Sequence, residues 1–460
     1  MGILKIKNPY NGQLILSIKE DDFISINKKI NSILKPKNKI SNFRKINIFK
    51  KLKKKFLKER KKILNIITSE VGVSLKDSNY EFKRCIKCIE LSIKILKRKN
   101  YINKTLLMTS NKNVRTEILE TPLKFIFAIT PFNLPFVLSA HKIFPAIISG
   151  SSIILKPSEK TPLSSIYLID SLKKCGLPNK MVNYIISRNP KKIVNYILLK
   201  KDLDMISFTG SSNIGIKIKN KMIKFNHQLK KFVPELGGCS SLIICEDSNI
   251  NRAVDIVIDG CFKYSGQRCT SIRRVIVANK IAKKFINNLL TKVKKLKFGN
   301  PFNLKTDIGP VIDSTVYKNA RKRINKSLKD GAKLLYGSFV TNNVLSPIVL
   351  DNVKINMEIV AKETFGPICS IIRSKNLNEA IKFANTTNYK MAGAIVTKSM
   401  SKAIKAYSKI EVGQFSVNGP PGFRLEEVPF GGFGDSGNGE KEGLILASKS
   451  MQRIRVLYKH

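Results

Sequence analysis

Hydrophobic residues in the first quarter of the chain recur at the spacing of helices. After a turn-rich start the chain turns helical from Asp21, and from Ser41 to about Lys99 an apolar side chain returns every three or four positions. Side chains at that spacing share one face of a helix, so the segment predicts two or three amphipathic helices whose lysines face solvent. Examples of the repeat are Ile46, Phe49, Leu52, Phe56 and Ile63.

Short apolar runs in the next part of the chain predict buried strands. Residues 125–129, 152–155 and 205–208 are almost wholly apolar, and each run leads into a turn or a loop. A helix is expected to begin near Pro162, and another to follow the segment Gly210–Gly215. Strands that alternate with helices over this stretch indicate one half of a doubly wound parallel sheet.

The second half of the chain repeats this alternation. Residues 272–277 predict a strand, and residues 282–296 and 317–330 predict helices. The apolar segment 359–372 surrounds a loop that contains Glu363. We therefore expect a second α/β unit after the first.

Two short segments alternate polar and apolar residues in the manner of strands. They are residues 114–118, with Val114, Thr116 and Ile118 on one face, and residues 451–459 near the end of the sequence. Strands so far apart in sequence predict a small sheet outside the two main units.

The charge of the chain is strongly positive but evenly distributed. Lys and Arg number 84 against 32 Asp and Glu, a formal net charge of +52. Such an excess ordinarily suggests nucleic acid or an anionic membrane as partner. However, the lysines extend from Lys5 to Lys459 alongside many Ile and Asn residues, which indicates the composition bias of an AT-rich genome. No basic run is interleaved with aromatic residues as a stacking platform requires, so no specific nucleic-acid partner is expected.

Cysteine and histidine usage predicts a reduced, cytoplasmic protein without a metal site. Eight cysteines in a chain of 460 residues do not make a disulfide framework, and the first residues lack the apolar core of a signal peptide. No apolar run approaches the ~20 residues that span a bilayer, so no membrane partner is expected. Cys85 and Cys88 form Cys-x-x-Cys on a predicted helix without a second cysteine pair or histidine nearby, which favours two buried thiols.

One stretch offers a thiol in a setting that favours its ionised form. Cys269 follows Arg268 in the segment 263–270, and a neighbouring cation lowers the pKa of a thiol from its usual value near ~8.5. Upstream, Glu235 stands beside Gly237 and Gly238, which let backbone pass close to the carboxylate. A thiol and a carboxylate on neighbouring loops predict a nucleophile and a base in one pocket.

Two further loops carry ligand-binding features. Asn133 follows the predicted strand 125–129, at the end of the strand where α/β sheets bind ligands. Gly210 and Gly215 flank a turn before a predicted helix, where backbone can approach a pyrophosphate, although the segment departs from the Gly-x-Gly-x-x-Gly pattern.

Seven short motifs resemble those of the aldehyde dehydrogenase superfamily and occur in its order. They are distributed along most of the chain: Thr-Pro-Phe-Asn at 130–133, Lys-Pro-Ser-Glu at 156–159, Phe-Thr-Gly-Ser at 208–211, Glu-Leu-Gly-Gly at 235–238, Gly-Gln-Arg-Cys at 266–269, Glu-Thr-Phe-Gly-Pro at 363–367 and Pro-Phe-Gly-Gly-Phe at 429–433.

The resemblance implies a hydrolytic oxidation of a small aldehyde to the acid. Cys269 would attack the aldehyde to give a thiohemiacetal, whose oxyanion accepts from the Asn133 side chain and the Cys269 backbone N–H. One such donor contributes on the order of 3 kcal/mol. Glu235 would activate the water that hydrolyses the ensuing thioester. Relatives that pass the thioester to coenzyme A tend to lack this carboxylate, so a free acid is expected.

The resemblance also implies a nicotinamide cofactor. Lys156 and Glu159 would contact the adenosine ribose, while Glu363 would hold the nicotinamide ribose with Phe365 packing beside it. A carboxylate at position 159 repels a 2′-phosphate, so NAD is expected, with NADP as the alternative. The remaining residues implied at the cofactor are Thr130, Ser158, Phe208, Gly210, Ser211 and Gly215.

The substrate prediction rests on three arginines. Arg268, Arg424 in a late loop and Arg84 on a predicted helix resemble residues that clasp a phosphate or phosphonate in the branch of phosphonoacetaldehyde dehydrogenase and non-phosphorylating glyceraldehyde-3-phosphate dehydrogenase. Guanidinium donors match the oxygen spacing of such anions. Leu134 departs from that branch, which often has a polar ring there. A neutral small aldehyde such as lactaldehyde remains the alternative.

The implied architecture is an α/β aldehyde dehydrogenase fold of two doubly wound domains and a β-ribbon for homo-dimer or homo-tetramer formation. Two other hypotheses remain, namely a remnant that only binds ligands and a protein of nucleic-acid or membrane surfaces. The predicted divisions are an NAD-binding domain at 1–103 and 122–236, a catalytic domain at 237–443, and the ribbon at 104–121 and 444–460.

Overall fold

A computed structural model of the protein describes residues 2–35, 40–98, 105–107, 114–340 and 343–460. The predicted boundary between residues 103 and 104 lies outside these ranges. The helices are α1 (Phe23–Leu34), α2 (Asn42–Lys58), α3 (Arg60–Val71), α4 (Leu75–Lys97), α5 (Pro135–Ser149), α6 (Leu163–Lys174), α7 (Pro190–Ile197), α8 (Ser212–Lys224), α9 (Ile250–Phe262), α10 (Asn279–Val293), α11 (Ser314–Lys329), α12 (Glu358–Ala361), α13 (Leu377–Ala384), α14 (Met400–Lys409) and α15 (Leu444–Ser450).

Within the described residues, the strands fall into two large sheets and three small ones. They are β1 (Ile3–Lys7), β2 (Leu14–Lys19), β3 (Thr105–Leu107), β4 (Arg115–Pro122), β5 (Ile126–Ile129), β6 (Ile153–Lys156), β7 (Val182–Tyr184), β8 (Met205–Thr209), β9 (Lys231–Glu235), β10 (Ser240–Ile244), β11 (Ile272–Ala278), β12 (Lys333–Tyr336), β13 (Ile348–Asp351), β14 (Ile368–Ser374), β15 (Tyr389–Lys390), β16 (Ala392–Val396), β17 (Gln414–Val417), β18 (Phe433–Gly434) and β19 (Gln452–Lys459).

The helices predicted between Ser41 and Lys99 are confirmed as α2, α3 and α4. Local sequence sets their ends. The Ser41 and Ser74 hydroxyls each accept a backbone N–H of the first turn, at the starts of α2 and α4. Gly72 ends α3 in the left-handed region at φ 83°, which glycine adopts without steric cost.

The first large sheet is parallel and has the strand order β7-β6-β5-β8-β9. Strands β5, β6 and β8 confirm the predicted apolar runs, and β5 is buried along its whole length. The carboxyl ends of β5, β6, β8 and β9 lead directly to Thr130, Ser158, Gly210 and Glu235. Because these strands are neighbours, one edge of the sheet collects four of the predicted site segments.

The second large sheet has the order β12-β13-β14-β11-β10-β16-β17 and is parallel except where β12 meets β13. Its three neighbouring strands β14, β11 and β10 begin shortly after Phe365, Cys269 and Gly238. The amino edge of this sheet thus supplies the other site segments. The predicted domain boundary at 236/237 falls between the last strand of the first sheet and the first strand of the second.

A small sheet of order β19-β4-β3 joins the two distant segments that alternate in sequence. Strands β4 and β19 pair antiparallel from Pro122 with Gln452 to Arg115 with Lys459, which confirms the predicted pairing. Helix α15 lies within the predicted ribbon segment 444–460, but its Leu444 is buried in the hydrophobic core around α4 and α5.

The described parts of the chain contain no helix with the length and apolar character needed to cross a membrane. All eight cysteines are unbridged, and Cys85 and Cys88 are both buried on α4.

Candidate active site

A cavity of about 580 Å³ lies between the carboxyl edge of the first sheet and the amino edge of the second. Its wall contains Cys269, Glu235 and Asn133. The predicted nucleophile and the predicted base therefore face one space, which is required if both act on the same substrate.

The backbone before Cys269 is held in an unusual conformation. Tyr264 and Ser265 adopt left-handed φ values of 57° and 53°, which cost non-glycine residues on the order of 1 kcal/mol each. The Tyr264 N–H donates to the Asp77 carboxylate over 2.9 Å, and the Ser265 hydroxyl donates to the Gly309 carbonyl over 2.9 Å. These contacts fix the loop that presents the thiol.

The ionisation of Cys269 corrects the sequence prediction. Burial raises the pKa of the thiol to about 12, and the Glu363 and Glu235 carboxylates act in the same direction. Arg424 and Arg268 lower the pKa, but burial outweighs them. The thiol is therefore protonated at neutral pH. The prediction from sequence failed because adjacency to a cation says nothing about desolvation.

Arg268 also makes contacts with residues other than Cys269. Its Nη2 donates to the Asp259 carbonyl over 2.6 Å and lies near the carboxylate of the same residue. Its guanidinium lies 5.9 Å from the centroid of the Tyr264 ring.

Glu235 is a buried carboxyl group without a hydrogen-bond partner on either oxygen among the described residues. Burial raises its pKa well above the usual value, and repulsion from Glu442 adds to the rise. Lys142 and Arg424 oppose the shift without cancelling it. Gly431 permits this confinement, since a Cβ there would lie 2.6 Å from Glu235 Oε1.

Glu442 and Lys142 are site residues that the sequence prediction missed. Lys142 Nζ donates to Glu442 Oε1 over 2.7 Å and to the Ser207 hydroxyl over 2.9 Å. Burial pushes the pKa of Glu442 upward, but Lys142, His141 and Arg424 together outweigh it and leave the pKa below its usual value. A lysine inside the predominantly apolar helix α5 was the available signal for this pair.

Asn133 lies just before α5 and faces the cavity. Its Nδ2 donates to the Gln267 carbonyl over 2.7 Å, in the turn that leads to Cys269. An amide nitrogen has two N–H donors, so one remains for a ligand.

The predicted cofactor residues Thr130, Lys156, Ser158, Glu159, Phe208, Gly210, Ser211, Glu363 and Phe365 all line the cavity. Ser211 is the N-cap of α8 but makes no side-chain capping bond, so N–H groups of the first turn remain available to an anion. Gly210 leaves room beside them, because a Cβ there would lie 2.5 Å from the Phe208 ring. These features fit the pyrophosphate of a nicotinamide dinucleotide.

The two glutamates of the cofactor wall have different surroundings. Glu363 accepts the Gly238 N–H over 2.8 Å, and burial raises its pKa to about 7. Gly237 allows this approach, since a Cβ there would lie 2.6 Å from Glu363 Oε2. Glu159 is half-buried, and its carboxylate lies 3.4 Å from Lys156 Nζ.

Gly215 corrects the predicted cofactor set, because it is not part of the cavity wall. It lies in the first turn of α8, where a Cβ would come within 2.5 Å of the Leu236 side chain. The glycine therefore allows the helix to pack closely on the loop after Glu235.

Arg84, Arg268 and Arg424 all line the same cavity as Cys269. The structure brings them together from α4, from the segment before Cys269 and from the late loop. Each has a buried guanidinium nitrogen without a hydrogen-bond partner among the described residues, namely Arg84 Nη2, Arg268 Nε, and Arg424 Nε and Nη2. Unpaired buried donors of this kind are costly unless a ligand accepts from them.

Comparisons with known proteins show the family and the fold. The model of the Aldehyde dehydrogenase family matches residues 2–456. A lactaldehyde dehydrogenase of Methanococcus aeolicus is 33% identical over 99% of this chain and 96% of its own. A 3-sulfolactaldehyde dehydrogenase of Priestia megaterium is 29% identical over 99% and 94%. The crystal structure of glyceraldehyde-3-phosphate dehydrogenase GapN from Methanocaldococcus jannaschii, complexed with NADP, superposes with a TM-score of 0.91 at 31% identity, covering 99% and 98% of the two chains.

Proposed function

The chain belongs to the aldehyde dehydrogenase family, whose members oxidise aldehydes with NAD(P)+, and on this basis we propose that it oxidises a small anionic aldehyde to the carboxylic acid. The observation that carries the proposal is the set of three arginines with unpaired donors around the cavity of Cys269.

The reaction begins when the Cys269 thiol loses its proton to solvent water and the sulfur bonds to the aldehyde carbon, whose carbonyl π electrons move to the oxygen. The resulting thiohemiacetal oxyanion accepts from the free N–H of Asn133 and from the Cys269 backbone N–H. A nicotinamide held beside Glu363 and Phe365 would supply the acceptor for the hydride of that carbon, which is the oxidation step. A thioester on Cys269 remains.

Glu235 acts in the second half of the reaction. Once ionised, it takes a proton from water as the water oxygen attacks the thioester carbon and the carbon–sulfur bond breaks. The proton held by Glu235 passes to the departing Cys269 sulfur, so the products are the carboxylic acid and the Cys269 thiol, and Glu235 is ionised again. The raised pKa of Glu235 makes its carboxylate a stronger base than an exposed one, and the absence of fixed partners among the described residues leaves it free to meet the water.

Glu159 supports NAD as the preferred cofactor. Its carboxylate accepts from ribose hydroxyls and repels a 2′-phosphate, whereas Lys156 tolerates either cofactor. GapN was crystallised with NADP, so the preference of this chain requires measurement with both cofactors.

The anionic group of the substrate is a phosphonate, phosphate, sulfonate or carboxylate, with phosphonoacetaldehyde as one example. The names of two relatives, 3-sulfolactaldehyde dehydrogenase and glyceraldehyde-3-phosphate dehydrogenase, describe aldehydes of this class. The 33% identical lactaldehyde dehydrogenase favours the alternative of a neutral substrate.

The small sheet supports a homo-dimer or homo-tetramer. Ile454 and Tyr458 of β19 are largely exposed, and apolar side chains at such positions are typical of subunit contacts.

The test is a steady-state comparison of phosphonoacetaldehyde, glyceraldehyde-3-phosphate, 3-sulfolactaldehyde and succinate semialdehyde with lactaldehyde, using NAD+ and NADP+ in turn. We expect higher kcat/KM for the charged aldehydes. Equal or higher kcat/KM for lactaldehyde would overturn the anionic substrate, and inactivity with every aldehyde would support the ligand-binding remnant instead.

A further inference from the structure

Glu426 lies behind the arginines and outside the cavity wall, and three cationic or N–H-bearing side chains converge on it. Arg84 Nε donates to Glu426 Oε1 over 2.7 Å, and His141 Nε2 lies 2.8 Å from Oε2. Arg424 Nε lies 3.7 Å from Oε2. One buried carboxylate therefore connects Arg84 of α4 with Arg424 of the late loop.

The charge states of this cluster follow from its burial. Burial lowers the pKa of His141 to about 4, so its imidazole is neutral at neutral pH. Burial acts to raise the pKa of Glu426, but His141, Arg84 and Arg424 together hold it far below its usual range. A carboxylate only accepts hydrogen bonds, so His141 Nε2 carries the proton and donates.

The local sequence aims both charged groups inward. Arg424 and Glu426 are two residues apart and buried, while Phe423 and Leu425 between and beside them are exposed. This alternation places the guanidinium and the carboxylate on the same side of the late loop.

Glu426 accepts from one nitrogen of the Arg84 guanidinium and leaves another nitrogen available to a ligand. Arg84 uses Nε for Glu426, while its Nη2 has no partner among the described residues. A guanidinium is planar, so fixing Nε also fixes the direction in which the remaining N–H groups point. Arg424 is further confined by the Phe430 ring, whose centroid lies 4.2 Å from its guanidinium carbon.

We propose that Glu426, with His141 behind it, is a positioning residue that orients Arg84 and Arg424 toward the anionic group of the substrate. The proposal rests on the anionic substrate of the preceding section and adds the residue that makes the arginines selective. Glu426 does not touch the substrate and takes no part in the chemistry at Cys269.

Two other roles for the cluster make different predictions. Cys88, His141 and Glu426 have potential ligand atoms within 4.8 Å of one another, but two guanidinium groups beside the carboxylate disfavour a metal cation there. If Glu426 were only a counter-charge, its removal would strengthen anion binding by raising the positive potential. The sign of the change in KM therefore separates positioning from simple neutralisation.

The test compares Glu426→Gln, Glu426→Asp and Arg84→Gln with the wild type, using one anionic aldehyde and lactaldehyde. We expect Glu426→Gln to raise KM for the anionic aldehyde by roughly tenfold or more. The reason is that loss of one charge-assisted hydrogen bond between an arginine and the anion weakens binding by about that factor. The kcat for lactaldehyde should stay essentially unchanged. Glu426→Asp, which keeps the charge at a shorter reach, should recover part of the loss.

A matched control is Asp351→Asn, which removes another buried carboxylate from an arginine pair, with Arg373, away from the cavity. It should lower thermal stability without changing the KM for one aldehyde relative to the other. If Glu426→Gln does not fold, His141→Phe removes one donor to Glu426 and should shift KM in the same direction by less.

The outcomes separate this inference from the proposed function. If Arg84→Gln leaves the anionic aldehyde unaffected, the anionic substrate is wrong and the inference falls with it. If Arg84→Gln weakens the anionic aldehyde but Glu426→Gln and His141→Phe do not, only the positioning role is wrong. A lower KM in Glu426→Gln, or an equal loss for both aldehydes, would also overturn it.

Discussion

Glu235 and Glu426 are both buried, yet their pKa values shift in opposite directions. The exposed fraction of Glu235 is 2% and that of Glu426 is 4%. Burial raises the pKa of Glu235 far above its usual value, whereas the surrounding cations hold the pKa of Glu426 far below it despite burial. Burial alone therefore does not determine the ionisation of a carboxyl group, because its partners decide whether the charge persists.

The difference matches two kinds of work in one cavity. On the side of Glu235 and Cys269, burial raises the pKa of both groups, and the Glu235 carboxyl group has no hydrogen-bond partner among the described residues, which suits proton exchange. The side with Arg84 and Arg424 keeps permanent charges in fixed positions, suited to holding an anion. Variants on these two sides should have larger effects than variants elsewhere in the molecule.

Replacing the sulfur is expected to have the largest effect. Cys269→Ser should lower kcat by roughly 10⁴-fold or more, since loss of a nucleophile removes the covalent route. NAD+ should still bind, because the cofactor wall does not require the thiol. Steady-state assays and NAD+ titration by fluorescence check both parts, and retained oxidation would show that another group is the nucleophile.

Removing charge from the anion side should give a smaller and selective effect. Arg84→Gln and Arg424→Gln should each lower kcat/KM for an anionic aldehyde by roughly 10–100-fold, the range of a charge-assisted hydrogen bond. The exposed Arg321 on α11 offers the control Arg321→Gln, which leaves the cavity intact. Equal losses with lactaldehyde would mean that the arginines support the fold rather than recognise an anion.

The cofactor wall offers a third, weaker effect. Glu159→Gln should improve kcat/KM with NADP+ several-fold relative to NAD+, because the carboxylate no longer repels a 2′-phosphate. Steady-state kinetics with both cofactors measure the ratio, and an unchanged ratio would remove Glu159 from the account of cofactor choice.

The dependence of stability on pH should show the smallest effect. Burial raises the pKa of Glu70 and Glu363 from 4.5 to about 7, and that of Glu81 to about 8. Between pH 4.5 and about 8 these three groups bind more protons in the folded protein than in the unfolded chain, so their contribution to stability falls as pH rises. Thermal unfolding from pH 5 to 8 measures the slope.

Glu81→Gln is the matched variant for that slope. Glu81 Oε1 accepts the N–H groups of Phe136 and Val137, and an amide oxygen can still do so. The variant should have a shallower fall in unfolding temperature with pH. A wild-type unfolding temperature that rises or stays level across this range would contradict the assigned pKa directions.

Periodicity predicted much of the fold because the segments concerned are long or strongly apolar. Helices α2 to α4 and strands β5, β6 and β8 lie where the spacing of hydrophobic residues placed them. Strand β7 and helix α7 were missed because three and eight residues are too few to show a period.

The site divides in the same way. The motifs predicted Cys269, Glu235 and Asn133 as site residues, and all three line one cavity. This prediction was possible because each residue lies close to the end of a strand. The contact of Arg84 and His141 with Glu426 joins positions more than 280 residues apart, and no local pattern reports it. The protonated state of Cys269 was mispredicted for a similar reason, because burial depends on the whole fold.

The most direct test of the account follows single-turnover and steady-state NADH formation in Glu235→Gln. We predict a burst of one NADH per active site followed by turnover slowed roughly 10²–10⁴-fold, because the thioester forms but water is no longer activated. Steady turnover at the wild-type rate, or loss of the burst itself in a folded protein that still binds NAD+, would contradict the role of Glu235 as base in the second half-reaction.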